Sequence, residues 1–306
     1  MIPMSDIEAA ARINTLKREL GAVILAHNYQ LSEVQSVADF NGDSLALSME
    51  ASKTDAKVLV FCGVVFMAET AKILSPDKTV LLPVLEAGCP MADMACADEL
   101  RALKASRPGA LVACYVNSSA EVKAESDVCV TSANALQIVS KLPADKEVIF
   151  VPDKNLGNYI QRQTGRKMTM WQGFCPVHQR VTPQMILDRR REFPGAEVLV
   201  HPECPLEVID LADAALSTGG MCEHVKKSPA KQMVVATELG MIHRLRQLRP
   251  DVQFIPVSEQ AVCPTMKLIR LPDILRSLER LEHRIEIPED IRAKAYKPIR
   301  LMLDMS

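Results

Sequence analysis

Along the chain, short apolar runs alternate with longer stretches whose apolar positions recur at helical spacing. The runs AVILAH, KVLVFCG, TVLLPV, ALVACYV, DVCVTS, EVIFVP, EVLVHP, DAALST, QMVVAT and VQFIPV are rich in Val, Ile and Leu and do not alternate with polar residues. That pattern predicts parallel strands covered on both faces. The helical stretches between them predict βαβ units. SDIEAAARINTLKREL predicts an opening helix, with a capping box in Ser5 and Glu8 and a stop at Gly21. IPEDIRAKAYKPIRLMLDM predicts a last helix that packs back on the rest.

The strands carry an internal repeat. Three strand ends hold polar pairs: His27 and Tyr29, Tyr115 and Asn117, His201 and Glu203. From His27 to Tyr115 is 88 residues, and from Tyr115 to His201 is 86. A hydroxyl follows each first member by 17 residues, at Ser44, Ser132 and Thr218, where a helix is expected to begin. Cysteines then follow at 45, 43 and 45 residues: Cys89, Cys175 and Cys263, each directly before a proline and after an apolar strand. Ligands of parallel sheets bind beyond the carboxyl ends of the strands. The sequence therefore predicts an α/β fold of three similar Rossmann-like βαβ domains, three-layer α/β/α with parallel sheets, around a pseudo-threefold axis with a central active site. The expected segments are 1–20 (helix), 20–105, 106–190 and 191–283 (repeats), and 284–306 (helix).

Composition narrows the function classes. The 306 residues exceed the usual size of one domain, and 48% hydrophobic content is ample for a core. A net charge of −2 and 4% aromatics give neither a polybasic surface nor stacking platforms, so no nucleic-acid partner is expected. The longest apolar run, VLVFCGVVFMA, is shorter than the roughly 18 residues of a membrane span, and MIPMSDIEAA lacks the features of a signal peptide. A cytoplasmic protein with no membrane partner is expected. Nine cysteines, an odd number in such a chain, argue for metal binding or burial rather than disulfides. Cys62, Cys114 and Cys129 lie inside apolar runs and read as small buried hydrophobes.

Three thiolates from three distant loops are one short of a closed structural zinc site. They suit a 4Fe–4S cluster in which one iron has no protein ligand and acts as a Lewis acid. His178, His201 or Cys204 could supply a fourth ligand, and zinc then returns. Ser44, Ser132 and Thr218 read singly as ordinary N-caps. In register and facing one site, they favour a substrate with several negative groups. The polar pairs offer candidate general acids and bases. His224 and His243 read as structural or surface residues, and KAESD and RRRE as charge runs on solvated faces. The residues alone point to an Fe–S enzyme that dehydrates or condenses a small polyanion. Rivals are an aconitase-like Fe–S dehydratase and a non-catalytic Fe–S redox sensor.

AHNYQ, FNGDSLALS, FMAETAKIL, YVNSSAEVKAESD, VTSANA, PDKNLGNYI, HPECP, STGGM and CPTMK together resemble the quinolinate synthases, from about residue 20 to 300. The resemblance implies three Rossmann-like domains around one 4Fe–4S cluster with three cysteine ligands, here Cys89, Cys175 and Cys263. It implies a transferase that condenses iminoaspartate with dihydroxyacetone phosphate to quinolinate, phosphate and two waters in de novo NAD biosynthesis. By motif it assigns His27, Ser44, Tyr115, Asn117, Ser132, His201, Glu203 and Thr218 to substrate binding. Tyr29 matches a tyrosine with acid–base and gating roles. Tyr29, Glu203, His201 and His27 are the expected catalytic set, with Glu203 and Tyr29 moving protons and the histidines orienting the intermediate. A functional link to an iminoaspartate-producing L-aspartate oxidase or aspartate dehydrogenase is implied. The extra C-terminal cysteine cluster of some relatives has no counterpart, since no cysteine follows Cys263.

Overall fold

A computed structural model describes residues 5–306. The strands, in chain order, are β1 (Ala22–His27), β2 (Phe40–Gly42), β3 (Val58–Cys62), β4 (Thr79–Leu81), β5 (Leu111–Tyr115), β6 (Val128–Val130), β7 (Val148–Val151), β8 (Met168–Met170), β9 (Glu197–Val200), β10 (Ala214–Ala215), β11 (Gln232–Ala236) and β12 (Gln253–Pro256). They form three four-stranded parallel sheets, ordered β2-β1-β3-β4, β6-β5-β7-β8 and β10-β9-β11-β12. The order is the same in each and reverses between the first and third strands, the switch point of a doubly wound sheet. The central strands are buried without alternation, which is the signature of sheets covered on both faces. The expected α/β fold and its three-fold division into sheets are both present.

β2 has no apolar run to announce it. Phe40 is exposed, and FNG is a strand because it pairs in parallel with Leu25–His27 on the sheet edge.

Three further devices recur with the repeat. Gly21, Gly109 and Gly195 stand just before β1, β5 and β9, at φ 57°, 84° and 84°. A side chain is strained in that region, so glycine is needed to turn the chain into each sheet. Asp39, Asp127 and Asp213 each accept the backbone N–H of a residue in the neighbouring first strand: Ile24 (2.8 Å), Val112 (2.7 Å) and Val198 (2.7 Å). Finally, the amides of Val65, Lys154 and Leu239, just beyond each third strand, donate to the carbonyls of Ala87, Gly173 and Ala261 at 2.9, 2.9 and 2.8 Å. Those carbonyls lie two residues before Cys89, Cys175 and Cys263, so each cysteine loop is pinned in the same way.

The opening helix Asp6–Leu20 has the expected capping box in Ser5 and Glu8 and ends at left-handed Gly21. It packs against β1 and the helix Leu271–Arg280. After that helix the chain runs along the first sheet, where Leu82 N–H donates to His283 O (3.0 Å) and Ile285 N–H to Val80 O (2.9 Å). The last helix, Glu289–Met305, packs on Val65–Leu74, Ala120–Ala124 and β6, and so straps the first two repeats together.

Cys62, Cys114 and Cys129 are fully buried in their strands, as expected. KAESD is not a solvated charge run throughout. Lys123 is completely buried: its Nζ donates to Ser118 O at 2.6 Å and lies 5.3 Å from the Phe66 ring centroid, and Glu69 packs nearby. A lysine is kept inside because carbonyls, a ring face and a carboxylate replace its water. Among the described residues, no helix is long and apolar enough to cross a membrane.

Candidate active site

Carboxyl ends of strands from all three sheets open on one cavity. It is lined by His27, Tyr29, Ser44 and Cys89 from the first repeat, by Tyr115, Asn117, Ser132 and Cys175 from the second, and by His201, Glu203, Thr218 and Cys263 from the third. Every residue singled out from the sequence spacing is brought to this one place. Convergence of equivalent positions is what a pseudo-threefold arrangement of the sheets produces.

The hydroxyls sit differently from the expectation. Asp43 caps the helix Ser44–Lys53, accepting Ala46 N–H at 2.9 Å, and Ser217 caps Thr218–Lys227, accepting Gly220 N–H at 3.0 Å. Ser44 and Thr218 are thus the first helical residues, not the caps, and their hydroxyls are not committed to capping. Thr218 Oγ1 accepts from Asn28 Nδ2 at 3.1 Å. Ser132 does not begin a helix. It lies in a turn before the helix Ala135–Lys141, because Asn134 Oδ1 accepts the Thr131 N–H (2.6 Å) and closes that turn. Asn117 contributes a buried Oδ1 without a partner among the described residues, an acceptor for a ligand.

The polar pairs repeat in geometry as well as spacing. Tyr29 N–H donates to His27 Nδ1 (3.2 Å), and Glu203 N–H to His201 Nδ1 (3.3 Å). Each Nδ1 is therefore an acceptor, and the neutral ring carries its proton on Nε2. Burial, the largest effect, together with neighbouring imidazole charge holds His27 and His201 near pKa 3, well below the ordinary 6.5.

Glu203 is the centre of the site. Its Oε1 accepts from Tyr115 Oη at 2.6 Å and its Oε2 from His178 Nδ1 at 2.7 Å. Burial works against its ionisation, but the His178 and His201 imidazoles and the bonds from His178 and Tyr115 outweigh it, so its carboxyl stays below the usual carboxylate range. Burial and the Glu203 charge push the Tyr29 and Tyr115 phenols well above their ordinary value, so both remain hydrogen-bond donors. Among the residues singled out from the sequence, the site thus holds one carboxylate, two protonated phenols and two neutral histidines.

Sequence reasoning did not assign His178, Thr237, Glu238 or Asp43 to substrate or proton chemistry. His178 stacks on His201 with centroids 4.8 Å apart, and its Nε2 meets Thr237 Oγ1 at 2.8 Å. Buried Glu238 accepts Cys263 N–H (3.1 Å) and pairs with Lys267 (3.0 Å). The Pro-Val-His that follows Cys175 was the one available signal for His178. The others follow strand ends with no motif of their own.

The donor set can be tested against a metal. Among the described residues, the His, Cys and carboxylate ligand atoms lying within 4.8 Å of one another are those of Cys175, His178 and Glu203, not of the three cysteines. A single tetrahedral ion with Zn–S bonds of ~2.3 Å needs its sulfurs about 3.8 Å apart. The cysteines therefore do not form one ion's shell, and a polynuclear cluster fits them better. Contacts inside the Cys175, His178 and Glu203 group are ordinary hydrogen bonds at 2.7 and 3.1 Å. Cys204 turns its thiol to Ala236 O (3.8 Å) and does not line the cavity. Burial pushes the Cys89 thiol up to about 12 and the Cys175 thiol well up, so a metal group taking thiolates must displace those protons. His224 bonds Glu197 (2.6 Å) and His243 bonds Gln247 (2.9 Å), both away from the cavity, as expected.

The family model described as Quinolinate synthetase A protein matches residues 11–304. A quinolinate synthase of Dehalococcoides mccartyi is 53% identical over 292 residues, covering 95% of this chain and 96% of that protein. One of Geotalea uraniireducens is 51% identical over 300 residues, 98% of each chain. One of Methanosarcina barkeri is 48% identical over 300 residues, again 98% of each.

Proposed function

Since this chain belongs to the Quinolinate synthetase A protein family, we propose that it condenses iminoaspartate with dihydroxyacetone phosphate to give quinolinate, phosphate and two waters, in the cytoplasm, as a step in NAD biosynthesis. The observation that carries the reading is the convergence of three cysteines, three hydroxyls and three polar pairs, one of each per repeat, on one cavity. Cys89, Cys175 and Cys263 would hold a 4Fe–4S cluster. When bound, that cluster supplies an iron with an open position, a Lewis acid.

The chain's own groups divide the remaining work. The hydroxyls and amides at the starts of the helices Ser44–Lys53 and Thr218–Lys227 favour the phosphate and carboxylates of the substrates. Glu203, ionised and held by Tyr115 and His178, is the base that takes a carbon-bound proton during the ketose-to-aldose shift. Tyr29, protonated and buried, is the matching acid. His27 and His201, neutral, hold the intermediate by their Nε2–H groups, and Asn117 accepts from it. An oxidase or dehydrogenase acting on aspartate is the class of reaction that must supply the imine.

The test is anaerobic turnover, following quinolinate and phosphate together. Glu203→Gln is expected to keep its iron and lose roughly 10²- to 10⁴-fold in kcat; full activity rules Glu203 out as that base. Cys175→Ala is expected to lose the intact cluster and Cys62→Ala to keep it, read by iron and sulfide analysis. Wild-type protein that holds iron but releases no phosphate from dihydroxyacetone phosphate overturns the reading.

A further inference from the structure

Neighbouring repeats meet through buried side-chain donors that stand at equivalent positions. A short helix follows the first strand of each sheet: Ser32–Val37, Ala120–Ala124 and Leu206–Ile209. Gln35 and Lys123 lie in the first two of these helices, 88 residues apart, which is the spacing of His27 and Tyr115. They are 1% and 0% exposed. Each reaches back five residues to a carbonyl: Gln35 Nε2 donates to Gln30 O at 2.9 Å, and Lys123 Nζ to Ser118 O at 2.6 Å. Gln35 Nε2 also reaches Asn28 O at 3.1 Å. Each then makes a longer contact, 3.4 Å in both cases, across to another repeat. Gln35 meets Gly240 O in the third repeat, and Lys123 meets Phe66 O in the first. Gly240 and Phe66 are equivalent in their turn, since they directly follow Leu239 and Val65, whose amides pin the cysteine loops.

The third joint has its donor on the other side. Ile209, 86 residues after Lys123, has no polar side-chain atom to offer. Asn155 directly follows the pinning amide of Lys154, and its Nδ2 donates to Glu203 O of the third repeat at 3.0 Å. Each pair of repeats therefore has one such joint. The loops that the joints hold are those of the cavity: Gln30 and Ser118 directly follow Tyr29 and Asn117, and Glu203 is the third member of that series.

We propose that Gln35, Lys123 and Asn155 are positioning residues: each fixes the loop that carries the second member of a polar pair, Tyr29, Asn117 or Glu203, and sets that loop against the neighbouring repeat. The effect on turnover rests on the function proposed above; the joints themselves do not. Lys123 gives the sharpest test, because two roles for a buried lysine predict opposite outcomes. If its stem merely fills space, an apolar residue of similar length is the better occupant of a dry site. If its task is to hold carbonyls, donors are needed and the charge is not, as Gln35 shows at the equivalent position. A glutamine amide has two protons, enough for the two carbonyls that Lys123 bonds.

Hydrogen–deuterium exchange of segment 116–124 in the iron-loaded protein is the measurement. Lys123→Met keeps most of the stem and removes every donor. It is expected to speed exchange of that segment roughly 10- to 100-fold, as loss of a buried hydrogen-bonding group would, and to leave segment 28–37 within about threefold of wild type. Lys123→Gln is expected to stay within about threefold of wild type in segment 116–124. Lys123→Met exchanging no faster than Lys123→Gln overturns the proposal. Gln35→Met reads the first joint independently, and decides the matter if Lys123→Met does not fold: segment 28–37 should speed by a similar factor, and unchanged exchange there overturns the proposal. Loss of position should also lower kcat/KM of Lys123→Met by about tenfold or more at unchanged iron content; an unaltered kcat/KM overturns the positioning role. Absence of quinolinate from the wild type instead sinks the assigned reaction and leaves the exchange result intact.

Discussion

Burial sets the protonation of His27 and His201, and protonation sets a pH limit on the fold. Both rings hold a folded-state pKa of about 3 against an ordinary 6.5. Between those values the unfolded chain binds protons that the folded chain refuses, so stability falls as pH drops from about 6.5 toward 3. The limiting slope is ~1.4 kcal/mol per pH unit for each histidine. Denaturant unfolding of the metal-free protein at several pH values is expected to show this loss, and the double change His27→Gln with His201→Gln to flatten it; an unchanged slope would mean that other groups carry the effect. At this scale the twelve site residues were readable because each stands at or beyond a strand end in register with two others. Thr237 was not, since a threonine after a strand gives no sign of a partner 208 residues away. Lys123 misled for a related reason: a lysine between acidic residues looks solvated until the carbonyls around its Nζ are known.

Strands and their joints were readable in proportion to their burial. The central strands are apolar on both faces and declare themselves, whereas β2 is an edge held by pairing alone. Apart from Gly21, read as a helix stop, the glycines and aspartates that recur with the repeat went unread because neither residue marks an apolar pattern. Their work is local: each aspartate returns the chain from the loop before the second strand to the first strand. Asp127→Ala should therefore destabilise the protein by about 1–3 kcal/mol, since Val112 N–H loses its acceptor. Asp127→Asn, which keeps an acceptor oxygen, should recover most of that loss. Equal midpoints for Asp127→Ala and wild type in urea unfolding would show that the contact contributes nothing.

The whole molecule is held together partly by segments outside the sheets. In the last helix, Ala295, Ile299 and Met302 are fully buried against the first two repeats. Ile299→Ala is expected to cost about 2–5 kcal/mol, the usual range for emptying a packed site, and differential scanning calorimetry would measure it. The sequence indicated that this helix packs back, but not where, because an amphipathic stripe names no partner. The repeat itself carries a consequence for how the site reads what enters it. The three sheets, alike in strand order, offer an incoming molecule three matching sets of positions. The side chains at matching addresses differ: His27 and Tyr29, Tyr115 and Asn117, His201 and Glu203. Orientation is therefore encoded wholly in that broken symmetry. The frame repeats one message three times, and the chemistry lies in where the copies disagree.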